Sequence, residues 1–318
     1  MVYFESTFAQ DPGFSQFFNN ELYLNPAFAG STDYSRVSIN YRNQWPGLQS
    51  TFVTYCASFD RPVEILHGGV GLYLMNDIQG DGAISCSSVD AIYSYKLQIS
   101  RYLFVNAGFQ SSFFQKRFNS NSLVFPDMRP VNGVSYPTQE ILSYQKRSYF
   151  DFSVGFIGFF NNSYLGIAIH HLTQPNESFA NNRASVLPRK YTVHFGTEIS
   201  LMNSGFERKD FTISPNILFQ RQQQFQQINY GLYLTKQTVF LGLWLRQDLT
   251  FNYDSFIILV GFSQSNFKFA YSYDLSITGT KFKMPTSGAH EVTVSTYFKH
   301  IGKRKKIRAV KCRVKIKN

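Results

Sequence analysis

The chain has 318 residues, a net charge of +11 and 17% aromatic residues, with 33 Phe and 20 Tyr against only 2 Trp. Its mean hydropathy is -0.20, and no apolar run approaches the roughly 18 to 20 residues that a spanning helix needs, so a helical membrane protein is excluded. A strand-built membrane protein, apolar outside and polar inside, fits these numbers; a soluble all-β domain fits them as well.

Residues 1–10 carry Thr7-Phe8-Ala9, which looks like the small-residue cleavage region of a secretory leader. No basic stretch precedes it and Glu5 interrupts the apolar part, so the expectation is a leader remnant or a frayed terminus. Residues 11–32 lack alternation, and Pro12 and Pro26 break regular structure. Their aromatics, Phe14, Phe17, Phe18, Tyr23 and Phe28, need burial. This segment is expected against one mouth of a barrel, on its periplasmic side, or inside the lumen as a short plug.

From residue 33 to 300 the chain alternates. In Arg36-Val37-Ser38-Ile39-Asn40-Tyr41-Arg42 the apolar residues point one way and the polar ones the other, as the side-chain period of a strand requires. Strands are expected over 33–44, 51–60, 67–76, 84–97, 102–116, 149–159, 164–172, 189–201, 210–221, 225–234, 238–246, 256–263, 267–275 and 291–298. The long connections, 117–147, 173–187 and 277–289, all follow odd-numbered strands, and the shortest turns follow even-numbered ones. Bacterial barrels place short turns in the periplasm and long loops outside, an asymmetry no soluble sandwich needs. The expected fold is therefore all-β: a transmembrane, antiparallel, up-and-down β-barrel of about fourteen strands in the outer membrane. Val37, Ile39, Phe150, Val154, Phe267, Phe269, Val292 and Val294 are expected to face lipid. Arg36, Asn40, Asp151, Lys268 and Glu291 are expected to face the lumen.

Residues 301–318 form a basic tail in which Lys303, Arg304, Lys305, Lys306, Arg308, Lys311 and Arg313 crowd together, interleaved with Ile307, Ala309, Cys312 and Val314. An even strand number returns the chain to the side where the first strand began, so a periplasmic start makes this tail periplasmic. Nucleic acid is then no partner. The tail is expected to dock an acidic periplasmic protein, with anionic lipid headgroups as the rival.

Few residues suggest chemistry. Cys56 and Cys86 fall on alternate strands, about 9 to 10 Å apart, which is too far for a disulfide. His170 and His171 are adjacent on a strand, so their rings are expected on opposite faces. Asp77 and Asp81 lie in a polar Asp/Gly stretch without the spacing of an EF-hand loop. Asp90, Asp151, Lys268, Asp274 and Glu291 are expected to form a structural lumenal charge network. No catalytic pair, cofactor motif or metal-ligand set stands out, and no enzyme activity is expected.

Several blocks resemble one family. Asp11, Pro12, Phe14, Ser15 and Gln16, followed by Asn25, Pro26, Ala27 and Gly30, are similar to the N-terminal signature of the PorP/SprF family of Bacteroidetes. Tyr41, Arg42, Asn43, Gln44 and Trp45 match its next block. Asn76 with Asp77, and Gly288 with His290 and Glu291, resemble later ones. Gly13 stands where the family usually has His, and Arg313 follows Cys312 where members often have Pro. The resemblance implies an outer-membrane barrel of the type IX secretion system, linked to gliding motility. It implies a role in secretion or surface attachment of adhesins, with periplasmic lipoprotein and ring components, adhesin cargo and outer-membrane lipid as partners. The alternative is a fatty-acid-type transport barrel with an N-terminal plug.

Overall fold

Alternation with a period of two becomes strand after strand along one continuous sheet. The computed structural model describes residues 11–47, 51–119, 145–179, 185–201, 211–277 and 288–299. Within them run β1 (Tyr34–Gln44), β2 (Phe52–Val63), β3 (Gly68–Gln79), β4 (Ile84–Gln98), β5 (Leu103–Phe118), β6 (Gln145–Phe160) and β7 (Ser163–His170). Then come β8 (Lys190–Thr197), β9 (Ile199–Leu201), β10 (Phe211–Gln222), β11 (Phe225–Lys236), β12 (Val239–Gln247), β13 (Tyr253–Gln264), β14 (Phe267–Ser276) and β15 (Ala289–Lys299). Every pairing is antiparallel and joins chain neighbours, except that β10 pairs with both β8 and β9, and β15 returns to pair with β1, so the sheet closes.

β8 and β9 are one strand interrupted. Asn216 of β10 faces Gly196, and Ile213 faces Ile199, so the register carries across the gap. Pro215 stands opposite that gap and has no N–H to give to a ladder. Counted this way the barrel has 14 strands, as alternation and loop parity predict. The boundaries differ in places. Arg117 pairs with Lys146 and Phe118 with Gln145, so β5 and β6 reach into the expected long loop. Asp77 pairs with Cys86 inside β3 and β4, and so does not lie in a turn. Most of the expected loop 117–147, part of 173–187, residues 1–10 and the basic tail lie outside the described residues.

The strand directions put the strand ends that flank 119–144, 171–189 and 277–288 on one side of the barrel. On the other side lie the tight turns at Asn161, Gln237 and Ser265, each with a left-handed backbone (φ of 51°, 54° and 49°). The end of β15 is on this short-turn side too.

The expected facings agree with burial. Ile39 and Phe150 are 56% and 65% exposed on the outer surface, while Arg36, Asn40, Asp151 and Glu291 are buried. Val37, Val154, Phe269, Val292 and Val294 are half-buried on the outward face, Phe267 is exposed, and Lys268 shares the inward face of buried Ala270.

Residues 11–31 fill the lumen. Phe14, Phe17 and Phe18 from the turn before it, Leu22 and Leu24 of a single helical turn, α1 (Glu21–Leu24), and Phe28 of a 3₁₀ turn over Pro26–Phe28 join one buried cluster. The barrel supplies Tyr73, Ile157, Leu218, Trp244, Ile257 and Leu259 to the same cluster. Phe17 and Phe18 lie 5.7 and 5.5 Å from the Trp244 ring. Burying several aromatic side chains at roughly 25 cal/mol per Å² makes this the main apolar term inside the barrel.

The segment runs the length of the lumen. Asp11 meets Gln222 and Lys190, which border the long-loop side. Ala29 and Gly30 approach Gly69 of β3, near the short-turn side. The start of β1 and the end of β15 thus share a side, as strand parity requires, while Asp11, the first described residue, lies at the opposite mouth. The expected periplasmic chain start, residues 1–10, lies outside the described residues. Only the entry to β1 lies at the short-turn side, because the plug crosses the lumen before the first strand begins.

Candidate functional site

Where the polar residues of the lumen gather, they gather on the plug. Arg42 of β1 reaches Asp274 of β14 and Glu291 of β15, each at 3.2 Å, and donates to the Ser15 hydroxyl. Glu291 accepts the backbone N–H groups of Ser15 and Gln16 at 2.7 and 3.2 Å, and Ser15 Oγ donates to Asp274 at 2.5 Å. Gln16 Nε2 donates to the Glu291 carbonyl at 2.9 Å. Arg246 of β12 adds a second cation, 3.3 Å from Asp274. All but Arg246 are buried, so removing one partner would strand an uncompensated charge, a loss of about 3 to 5 kcal/mol.

A second anchor lies toward the short-turn side. Arg36 is held by Asp60 at 2.8 Å and by Glu21 of the plug at 2.6 Å, and Asp60 also accepts the Gly30 N–H at 2.9 Å. Gly30 adopts φ of 61°, a left-handed backbone natural for glycine, and passes against Gly69. Between the anchors, Asn25 caps the 3₁₀ turn by accepting from the Ala27 N–H at 2.9 Å, and its amide lies 3.1 Å from His194 Nε2. Gly108 and Gly155 let the plug lie against the wall, since a side chain at either would overlap Ala27 or Asn25.

The third anchor is at the long-loop mouth. His171 Nδ1 lies 2.6 Å from Asp151, and its Nε2 lies 2.9 Å from Asp11, which Lys190 approaches at 3.3 Å. Burial works against the charge on His171, but Asp11 and then Asp151 outweigh it and raise its pKa to about 9. Burial likewise opposes ionisation of Asp11, and His171 with Lys190 outweighs it, holding the carboxyl well below its usual range. The adjacent histidines do not point to opposite faces. His171 follows the end of β7 with φ of 58°, so alternation stops there and both rings are buried inside, His170 within 3.5 Å of the Leu24 carbonyl.

The residues that carry the family resemblance divide in two. Asp11, Pro12, Phe14, Ser15, Gln16, Asn25, Pro26, Ala27 and Gly30 form the plug, and Arg42, Asp77 and Glu291 face it from the wall. Tyr41, Asn43, Asn76 and His290 alternate outward. Asn76 donates to the Tyr55 hydroxyl at 2.7 Å, and His290 lies 2.8 Å from the Tyr271 hydroxyl. Gln44 and Trp45 line a vestibule at the long-loop mouth. Trp45 holds φ of 57°, packs edge-on to Phe52 and donates its N–H to the Gly288 carbonyl at 2.9 Å. Lys303, Arg304, Lys305, Lys306, Arg308, Lys311 and Arg313, the expected docking residues, lie outside the described residues.

The expected charge network is several clusters. Asp274 and Glu291 share Arg42, Asp151 serves His171, and Lys268 lies over the Phe240 ring. Asp90 stands apart on β4. The residues that sequence reasoning missed are the partners across the lumen: Glu21, Asp60, Arg246 and His194. Their signal was a polar residue on the inward side of an alternating strand, but nothing local indicated which plug residue each would meet. Cys56 and Cys86 are free thiols. Among the described residues, no group of three or more His, Cys, Asp or Glu could hold a metal ion.

Comparison with known proteins agrees with this architecture. A family model described as type IX secretion system membrane protein PorP/SprF matches residues 6–296. No curated relative matches the chain. The toluene transporter TbuX of Ralstonia pickettii is 10% identical, with a TM-score of 0.50 over 87% of this chain and 93% of its own. A FadL homologue of Pseudomonas aeruginosa is 11% identical, with a TM-score of 0.44 over 87% and 93%. At such identities the TbuX likeness speaks for the barrel fold alone.

Proposed function

The chain belongs to the PorP/SprF family of type IX secretion system membrane proteins and is an outer-membrane β-barrel, and on that premise we propose that it works through its two mouths, as a docking and attachment barrel for secreted adhesins. The observation that carries this reading is the lumen. Residues 11–31 run through it from one mouth to the other, tied down by the Arg36–Glu21 ion pair and by hydrogen bonds that join Ser15 and Gln16 to the buried Arg42–Glu291 pair. A barrel closed in this way has no path for a polypeptide, so its contribution to secretion is contact. The long-loop side, with 119–144, 171–189 and 277–288, is the surface assigned to adhesin cargo, since loops of such length are usually functional or disordered. The short-turn side carries the end of β15 and so the root of the basic tail, assigned here to periplasmic lipoprotein and ring components. The role is non-enzymatic, with no cofactor and no nucleic-acid partner. Fatty-acid-type transport is the less favoured reading, because it asks for a continuous apolar passage and the plug anchors are ionic.

The test is co-purification after mild detergent extraction, comparing the full chain with one lacking residues 303–318. The expected outcome is loss of periplasmic partners while the truncated barrel still inserts and keeps its folded, heat-sensitive migration on gels. Retention of every periplasmic partner by the truncated barrel would overturn the assignment of the tail.

A further inference from the structure

Beneath the long-loop mouth, behind Asp11 and Lys190, lies a cavity of about 120 Å³ between the plug and the inner faces of β3 to β6. A single water needs roughly 10 to 15 Å³ of such space, so there is room for several atoms in a row. Its acidic lining outweighs its basic lining. Lys116 is taken by Glu177 at 3.0 Å, Lys190 by Asp11 at 3.3 Å, and His171 by Asp11 and Asp151. Two further carboxylates face the cavity with no cation. Asp77 accepts only from Thr54 and Gln79, each at 2.6 Å. Asp90 is 3% exposed; the Ser112 and Ser88 hydroxyls lie beside its carboxyl, Ser88 donating to Oδ2 at 3.4 Å, and Oδ1 meets no donor in hydrogen-bond geometry.

Beside it Gln110, 8% exposed, gives its amide N–H to Ser112 at 3.1 Å and leaves Oε1 without a partner. Both orphaned atoms are acceptors, and both residues line the same space. A buried acceptor without a donor is costly, so the site suits a group that brings hydrogen-bond donors, and the excess of carboxylates in the lining favours a cationic one.

The other walls are aromatic. Tyr73, Phe114 and Tyr149 line the cavity, with Phe114 and Tyr149 stacked at a ring separation of 5.2 Å. At its edge Lys190 Nζ already sits 4.6 Å from the Tyr23 ring centre. Carboxylates with aromatic faces are the recognition chemistry of alkylammonium groups, whose charge pairs with the oxygens while the methylenes lie on the rings. A bare metal ion fits less well, given the absence of a ligating group of three among the described residues. We propose that this cavity binds an organic primary ammonium group, with the charged nitrogen between Asp90 and Gln110 and the alkyl chain along Phe114 and Tyr149. Its source is either a free amine or a lysine side chain of a partner. The site stands apart from the secretion reading and can be tested on the purified barrel alone.

The experiment is calorimetric titration of the detergent-solubilised full chain with n-butylammonium chloride, against sodium chloride at equal concentration. Saturable binding of the amine alone is expected. Asp90→Asn, which keeps the shape and removes the charge, should weaken it by about tenfold or more. Tyr149→Leu, which touches no plug anchor, should also weaken it and serves as the deciding variant if Asp90→Asn does not fold. A short peptide with one central lysine, beside the same peptide with norleucine, separates the sources: lysine-dependent binding that butylammonium competes away marks a partner side chain, and binding of the free amine alone marks a soluble ligand. No saturable binding, equal binding of sodium, or unchanged binding by the folded variants would overturn the proposal.

Discussion

His171 sits between two carboxylates, one from the wall and one from the plug, and this makes its proton a structural part of the mouth. Its pKa is raised from 6.5 to about 9, so its contribution to stability is fully present below about pH 6.5 and lost as pH rises through about 9. Asp11 is depressed, so its contribution is present above its ordinary 3.8 and lost as pH falls below that. The two together define a window in which the latch holds, covering neutral pH. At pH 7 the His171 share is on the order of 2 to 3 kcal/mol. Unfolding followed from pH 7 to pH 10 should show the wild type losing stability more steeply than His171→Gln. The charged and titratable neighbours that shape this profile are Asp11, Asp151, Lys190 and His170. Identical slopes in the two proteins would mean that His171 carries no proton at neutral pH.

At the scale of elements, the plug and the wall meet through glycine. Gly108 of β5 lies directly under the Pro26–Ala27 backbone, so Gly108→Val has to displace the plug, whose backbone cannot yield as a side-chain end can. The expected outcome is a barrel that still inserts but conducts ions in a planar bilayer, where the parent is closed. An equally closed variant would show that the plug yields locally without leaving.

Much of this was legible in the sequence. Alternation identified the strands, and loop parity identified the two sides, because a closed antiparallel sheet imposes both. The plug was legible as the segment whose aromatics had no alternating partner. Its docking site left a trace as well. The runs Val239–Trp244 and Phe256–Val260 are apolar on both faces, where a polar lumenal face was expected. Phe240, Trp244, Ile257 and Leu259 are buried inward in the core cluster that also holds Phe17 and Phe18, which explains the lost alternation. The ion-pair partners were not legible. Ser15 and Glu291 are 276 positions apart, and only three-dimensional closure brings them together. The two histidines were misread because the left-handed His171 ended the strand at His170, two positions before its expected end.

For the whole molecule, lipid is the solvent of the outer face, and Val294 at the centre of β15 tests it. Its cross-strand neighbours are Ile39 of β1 and Phe269 of β14, so the patch is continuously apolar. Val294→Arg should cost roughly 2 to 4 kcal/mol if this position lies near the bilayer midplane. Folding into vesicles under a denaturant gradient measures that cost, and a neutral result would place the patch away from the hydrocarbon.

The seam between the first and last strands has a consequence for how the protein is made. Arg42 of β1 and Glu291 of β15 pair directly across the seam, and both also hold Ser15 of the plug. The final strand gains the Ser15 and Gln16 N–H groups on Glu291 only with residues 11–31 seated. Seating them afterwards would mean threading a chain with bulky aromatics through a closed ring. Enclosing residues 11–31 and zipping the seam are therefore expected to be coupled steps, since a seam closed around an empty lumen would leave the Glu291 carboxylate without the Ser15 and Gln16 N–H groups.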